Sequence, residues 1–152
     1  MTWGCMQYGS GVGTLVRIDG NMDADLYCQI LEDDMLGSLE EWGVTRDKII
    51  FQQDNDPKHT SKKAKQWFQD NKIRVMQWPA QSPDLNPIEH LWCHLKKKLG
   101  AYQTQPKGIE DLWDRVQEVW AAITPDVVDN LIGSMPRRVE AVIAAKGGSI
   151  DY

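Results

Sequence analysis

Residues Phe51–Leu95 read FQQDNDPKHTSKKAKQWFQDNKIRVMQWPAQSPDLNPIEHLWCHL. The stretch opens on an apolar strand that runs into an acidic cluster, Asp54-Asn55-Asp56-Pro57. It closes on a proline-punctuated loop feeding a helix whose first turn holds Glu89, and 34 residues lie between Asp54 and Glu89. Lys48–Gln53 is read as a buried strand with helices on both faces. Thr60–Asn71 is read as a helix with Ala64, Trp67 and Phe68 inward and Lys62, Lys63 and Lys65 toward water. Ile73–Trp78 is the next strand, Pro79–Pro87 a stiff loop, and Ile88–Leu99 a helix stopped by Gly100.

Outward from this stretch the pattern continues. Thr2–Tyr8 and Thr14–Ile18 read as strands joined by a turn at Ser10-Gly11-Val12-Gly13. The glycines there match no phosphate-binding loop, since neither GxGxxG nor GxxxxGK is present. Asp23–Trp42 carries apolar residues at three- and four-residue spacing and is predicted to be one amphipathic helix ending at Gly43. Beyond residue 100, Gln103–Lys107 is read as a linker and Ile109–Ile123 as a helix. Thr124-Pro125-Asp126 caps a last helical stretch, Val127–Ala145, broken at Met135-Pro136. Strands alternating with helices predict an α/β layer fold.

The chain has 152 residues, 41% hydrophobic and 26% charged, a composition that supports one core. Seven tryptophans are read as core packing. The net charge of −5 argues against general nucleic-acid binding. Yet Asp54–Lys98 holds nine Lys/Arg against five Asp/Glu, whereas the remainder holds eight against seventeen. A polyanion would meet the central segment and avoid the flanks. Cys5, Cys28 and Cys93 are odd in number and form no CxxC pair, as expected of core thiols in a reducing compartment. No transmembrane-length apolar run and no signal peptide is seen, so the expected setting is cytosol or nucleus, with no membrane partner.

Two readings compete at each carboxylate. Asp54, at the end of a strand, sits where open α/β sheets bind ligands, or it closes an Asx turn. Glu89 stands third after Asn86, the pattern of a capping box, or it is a stiffly held first-turn ligand. Hard divalent cations take carboxylate oxygens together with substrate phosphate. Two such ions about 4 Å apart can serve the attacking and leaving oxygens of a phosphoryl transfer. Lys58, His59, Lys62 and Lys63 are placed to meet phosphates, or form a solvated face. Lys96–Lys98 equally suits a helix C-terminus. His90, Cys93 and His94 lack the HExxH order of a zinc site, and Asp54-Asn55-Asp56 lacks the glycine and distal Glu of a calcium loop.

QQDNDPKHTS followed by WPAQSPDLNPIEHLWCHLKKKL closely resembles the catalytic domain of Tc-one/mariner-type DDE transposases. MTWGC near the start and GSMPRRVEAVIAAKGGSIDY at the end resemble that family as well, so the resemblance spans the chain. It implies an RNase H-like three-layer α/β fold, here lacking its first strand and carrying extra C-terminal helices. It implies Asp54 as the second Asp and Glu89 as the Glu of an Asp-Asp-Glu triad holding two Mg²⁺ or Mn²⁺ ions. The first Asp would lie on a strand upstream of Thr2–Tyr8, and Asp19, Asp23 and Asp25 follow the wrong strand to replace it. The metal site is therefore expected to be incomplete and the isolated chain inactive. The lost strand would sit between the Asp54 strand and Thr2–Tyr8. Asp56, Lys58, His59, Lys62, Lys63 and Asn86 would stand around the site or contact DNA.

The domain expected is a truncated catalytic domain over 1–100 with its helical extension over 101–152. The family's N-terminal helix-turn-helix region is not expected here. The implied chemistry is DNA strand cleavage and strand transfer in transposition. The implied partners are transposon ends and target DNA, the implied location the nucleus. An open strand edge could drive homo-oligomerisation. The alternative is a non-catalytic DNA-binding or protein-interaction module derived from a transposase.

Overall fold

The computed structural model describes residues 1–79 and 82–148, so Ala80, Gln81 and the last four residues of the C-terminal motif lie outside it. The chain forms two compact units, Met1–Cys5 with Gly13–Ser82, and Met6–Val12 with Pro83–Tyr152.

The first unit contains most of a hairpin, strands β1 (Thr2–Gln7) and β2 (Gly11–Arg17). Its turn falls at residues 8–10, earlier than expected. Gly9 adopts φ +78°, which a side chain resists, and so supplies the reversal. Gly13 is instead a strand residue. Its absent side chain leaves room for Ser38 and Cys5, which a Cβ would meet at 2.6 and 2.7 Å.

Helix α1 (Ala24–Ile30) begins at Asp23, whose carboxylate accepts from the Asp25 and Leu26 amides at 3.0 and 2.8 Å. A π-helical turn over Leu31–Met35 leads into α2 (Leu36–Glu41), so the single helix expected from periodicity is one run with a widened middle turn. Strands β3 (Ile50–Phe51) and β4 (Arg74–Val75) pair in parallel, Ile50 with Arg74 and Phe51 with Val75, across α3 (Lys62–Asp70).

Both strands are shorter than expected. Phe51 and Val75 pack on a core of Tyr27, Leu31, Met35, Leu39, Ala64 and Phe68. Ile50 and Met76, however, are exposed, so burial on both faces is not observed. Among the described residues no ladder joins β1–β2 to β3–β4.

The second unit is helical: α4 (Pro87–Gly100), α5 (Ile109–Ala121), α6 (Pro125–Gly133) and α7 (Met135–Ala144). Leu91 and Leu95 of α4, Val116, Val119 and Trp120 of α5, and Val128 of α6 form its core, with Trp92 stacked on Trp120 at 5.1 Å. The expected linker at 103–107 is tied down: Arg115 donates to the Thr104 carbonyl at 2.6 Å and Asp111 accepts from the Lys107 amide at 2.7 Å. The cysteine expectation fails in part, because Cys28 is buried but Cys93 is exposed. Among the described residues no helix is long and apolar enough to cross a membrane.

Candidate active site

Asp54 belongs to the first unit and Glu89 to the second. Asp54 follows β3 by three residues, in a loop closed by its own side chains. Asp54 Oδ1 accepts the Asp56 amide at 3.1 Å, so the Asx turn is real. The same oxygen contacts His59 Nδ1 at 2.6 Å. A carboxylate partner makes Nδ1 the donor, and the bond is charge-assisted. Oδ2 has no hydrogen bond among the described residues, and the carboxylate is half exposed.

His59 is held from behind. Its ring lies 4.4 Å from that of Tyr27, and its carbonyl accepts Gln53 Nε2 at 3.1 Å. The Tyr27 hydroxyl donates to Gln53 Oε1. Burial pushes the Tyr27 phenol well above its ordinary range, so it remains a neutral donor. His59 Nε2 is buried without a partner among the described residues. His59 therefore faces Asp54 rather than solvent.

Asp56 and Lys58 close the turn. Asp56 accepts the Lys58 amide at 3.0 Å and its ammonium at 2.6 Å. Burial opposes charge on Asp56, but these Lys58 contacts outweigh it and hold the carboxyl below the usual range. Asn55 Nδ2 donates to the Trp78 carbonyl at 2.8 Å, tying the loop to the segment after β4. Ser61 caps α3 by accepting the Ala64 amide at 3.1 Å. On α3, Lys63 is committed to Asp25 at 2.7 Å, whereas Lys62 and Lys65 are exposed without an ion pair among the described residues.

In the second unit a 3-10 turn over Pro83–Leu85 runs into α4 through Asn86, with Pro87 at the first helical position. The capping box that the sequence allows is not formed. The Asn86 amide donates to the Pro83 carbonyl at 3.0 Å, and the Asn86 side chain does not cap the helix. Glu89 keeps only its main-chain bond, donating to the Asn86 carbonyl at 3.1 Å. Its carboxylate is exposed, with no hydrogen bond or ion pair among the described residues. Asn86 is buried and shapes the turn.

Burial, then the nearby Arg138 guanidinium, hold the His90 imidazole below its ordinary range. Among the described residues no three His, Cys, Asp or Glu side chains cluster as a metal site, and His90, Cys93 and His94 form none. Two partners escaped the sequence reading. Tyr27 and Arg138 sit on helical faces where spacing predicts packing or solvation, and no motif marks them.

The profile of the family described as DDE superfamily endonuclease matches residues 3–113. The Tcb2 transposase of Caenorhabditis briggsae is 43% identical over the whole of this chain and 54% of its own length. The Tc1 transposase of Caenorhabditis elegans is 41% identical over the same shares. The chain thus spans about half the length of the curated relatives it matches. Among solved structures, the Mos1 transposase catalytic domain with raltegravir and Mn superposes with TM-score 0.80 at 25% identity, covering 93% of this chain and 73% of that one. The Mos1 mariner paired end complex with Mn gives TM-score 0.81 at 24% identity, covering 93% and 42%. The fold is RNase H-like, and the resemblance to Tc-one/mariner-type transposases is borne out.

Proposed function

We propose a divalent-metal phosphoryl-transfer role on DNA for this chain, because the chain belongs to the DDE superfamily endonuclease family. Asp54 and Glu89 are the carboxylates that would hold Mg²⁺ or Mn²⁺. The observation that carries this reading is Glu89 itself: a first-turn carboxylate whose capping partner is already taken by Pro83. A polar group without local structural work, on a stiff helix start, is available for a ligand.

The residues fit such a cation. Asp54 spends one oxygen on His59 and Asp56 and leaves the other open. Hard carboxylate oxygens are what Mg²⁺ and Mn²⁺ prefer. A bound ion would steady charge on a phosphate oxygen and acidify a water. The chain's own residues do the rest: His59 Nδ1 fixes the Asp54 carboxylate plane, Lys58 neutralises Asp56, and Lys62 offers an uncommitted charge to a passing phosphate.

Two carboxylates are too few for a two-ion site, so the chain alone should not nick DNA. A third carboxylate, from the strand the family resemblance implies, would complete it. Transposon ends and target DNA as partners, a nuclear setting, and self-association through an open strand edge belong to the same proposal. Residues 1–100 and the helical extension 101–152 would act as one catalytic domain. The non-catalytic alternative is not favoured, given the match to a catalytic family.

The test is Mn²⁺-induced line broadening in the NMR spectrum of the chain, alongside a plasmid-nicking assay. Broadening should centre on residues 54 and 89 and fade in Asp54→Asn and Glu89→Gln. Broadening that ignores both substitutions refutes the assignment. Robust nicking lost in Asp54→Ala refutes the claim of incompleteness.

A further inference from the structure

We propose that Arg138, on α7, is a positioning residue for the turn that carries Glu89. The inference rests on the reading of Glu89 as a metal carboxylate.

Helix α7 is the starting anomaly. A surface helix ordinarily buries an apolar stripe. Here the single residue of α7 that is buried is Arg138, at 3% exposure, while Val139 and Ile143 stand 43% and 71% exposed. An arginine cannot shed its charge to suit its surroundings, so its N–H groups must be answered where it lies.

Two of the answers are a serine hydroxyl and a main-chain carbonyl. Arg138 Nε donates to Ser134 Oγ at 2.8 Å, and Nη1 donates to the Asp84 carbonyl at 3.0 Å. Ser134 is itself set in place, donating to the Leu131 carbonyl at 2.6 Å at the junction of α6 and α7. The guanidinium is planar and its donors diverge at fixed angles. Once Ser134 holds one side of the fork, the other side dictates where the Asp84 carbonyl sits.

Asp84 is the middle residue of the 3-10 turn that ends at Asn86. The turn is closed by the Asn86 amide on the Pro83 carbonyl, and Asn86 then receives the Glu89 amide. Asp84 lies inside that closed turn, and its carbonyl is held from outside by Arg138, 54 residues further along the chain. Glu89 lies one helical turn beyond this anchor and has no side-chain restraint of its own. Its direction is inherited from the turn, and the turn is registered by Arg138. Arg138 touches neither metal nor DNA in this scheme.

The test is amide hydrogen exchange, resolved by residue, on the whole chain carrying Arg138→Met or Arg138→Lys. The reporters are Asn86 and Glu89, with Val119 and Trp120 of the same unit as controls. In Arg138→Met, exchange at Asn86 and Glu89 should rise at least tenfold while the controls change less than threefold. Arg138→Lys, which keeps one donor, should restore part of the protection. An equal rise at reporters and controls shows a general stabilising role and overturns the proposal, as does no rise at Asn86 and Glu89.

Should Arg138→Met unfold the unit, Ser134→Ala decides. It removes the Nε acceptor, together with the hydroxyl's bond to the Leu131 carbonyl, and keeps the arginine; it should loosen Asn86 and Glu89 selectively, and unchanged exchange there overturns the proposal. Mn²⁺ broadening separates the two readings. If Glu89 is unaffected by Mn²⁺ in the native chain, the metal assignment fails. The exchange result still judges whether Arg138 sets the turn.

Discussion

Replacing Gly13 by alanine tests the packing of the first unit most sharply. A Cβ at Gly13 would lie 2.6 Å from Ser38 Oγ, 2.7 Å from Cys5 Sγ and 2.8 Å from Ser38 Cβ. Ser38 is 0% exposed and cannot swing into solvent. Its hydroxyl accepts the Thr14 amide at 2.9 Å and bonds Thr14 Oγ1 at 3.1 Å and the Asp34 carbonyl at 2.8 Å. Overpacking alone costs ~1–3 kcal/mol. Displacing the hydroxyl adds roughly 1 kcal/mol for each net hydrogen bond lost. Against this, alanine narrows the unfolded ensemble by at most ~1 kcal/mol.

The expected net loss is therefore about 2–3 kcal/mol. With a urea slope near ~2 kcal/mol per M, the midpoint should fall by ~1–1.5 M, read by tryptophan fluorescence and circular dichroism together. Adding Ser38→Gly removes two of the three clashing atoms and should recover about 1 kcal/mol as a coupling term. A midpoint shift below ~0.3 M for Gly13→Ala alone would refute the claim that Gly13 is required by space.

Other outcomes follow from the same geometry. Glu89→Ala should cost less than ~1 kcal/mol, the share of helix-dipole stabilisation alone; a thermal melt showing more than ~1.5 kcal/mol would mean the carboxylate caps the helix after all. At pH 8 a disulfide reagent should label Cys93 rapidly and spare Cys28 and Cys5, because burial raises both of the latter, Cys5 to about 11. Since only the thiolate reacts, any labelling of Cys5 in the folded chain should climb about tenfold per pH unit toward that value. Rapid loss of all three thiols at pH 8 refutes the burial.

Asp56→Asn should lower stability at pH 7 by ~1 kcal/mol, a figure kept small because the pair is partly solvated. The Asp56 carboxyl is depressed in the folded state. Its contribution is present above the unfolded value near 4 and is lost as pH falls through the lower folded one. Urea midpoints of the two proteins should therefore converge in acid, and a gap that persists at pH 2 contradicts the ion pair.

Much of this was legible in the residues. Asn86-Pro87-Ile88-Glu89 placed the start of α4, and Met135-Pro136 placed the break between α6 and α7, because proline is compatible with a first helical turn and hostile to a helix interior. The Asx turn weighed at Asp54 is formed. What Glu89 does not do was illegible: the box pattern is local, whereas the competitor for the Asn86 amide, Pro83, belongs to a turn whose geometry spacing does not encode. The hairpin moved because two glycines near a turn look alike on paper, one needed for its φ and one for its missing side chain. The strands were overlong because apolar runs report burial, not the number of neighbours in a ladder. Arg138 was invisible, since an arginine on a helix reads as solvated until something distant asks for its donors.

The long reach between Asp84 and Arg138 sets an order of events during synthesis. At roughly 5–20 residues per second, the ribosome needs on the order of 3–11 s to add the 54 positions separating them. Through that interval the turn at Pro83–Leu85 exists without the arginine that holds its Asp84 carbonyl. The final geometry of that turn is therefore a late event, set only once α7 has been made.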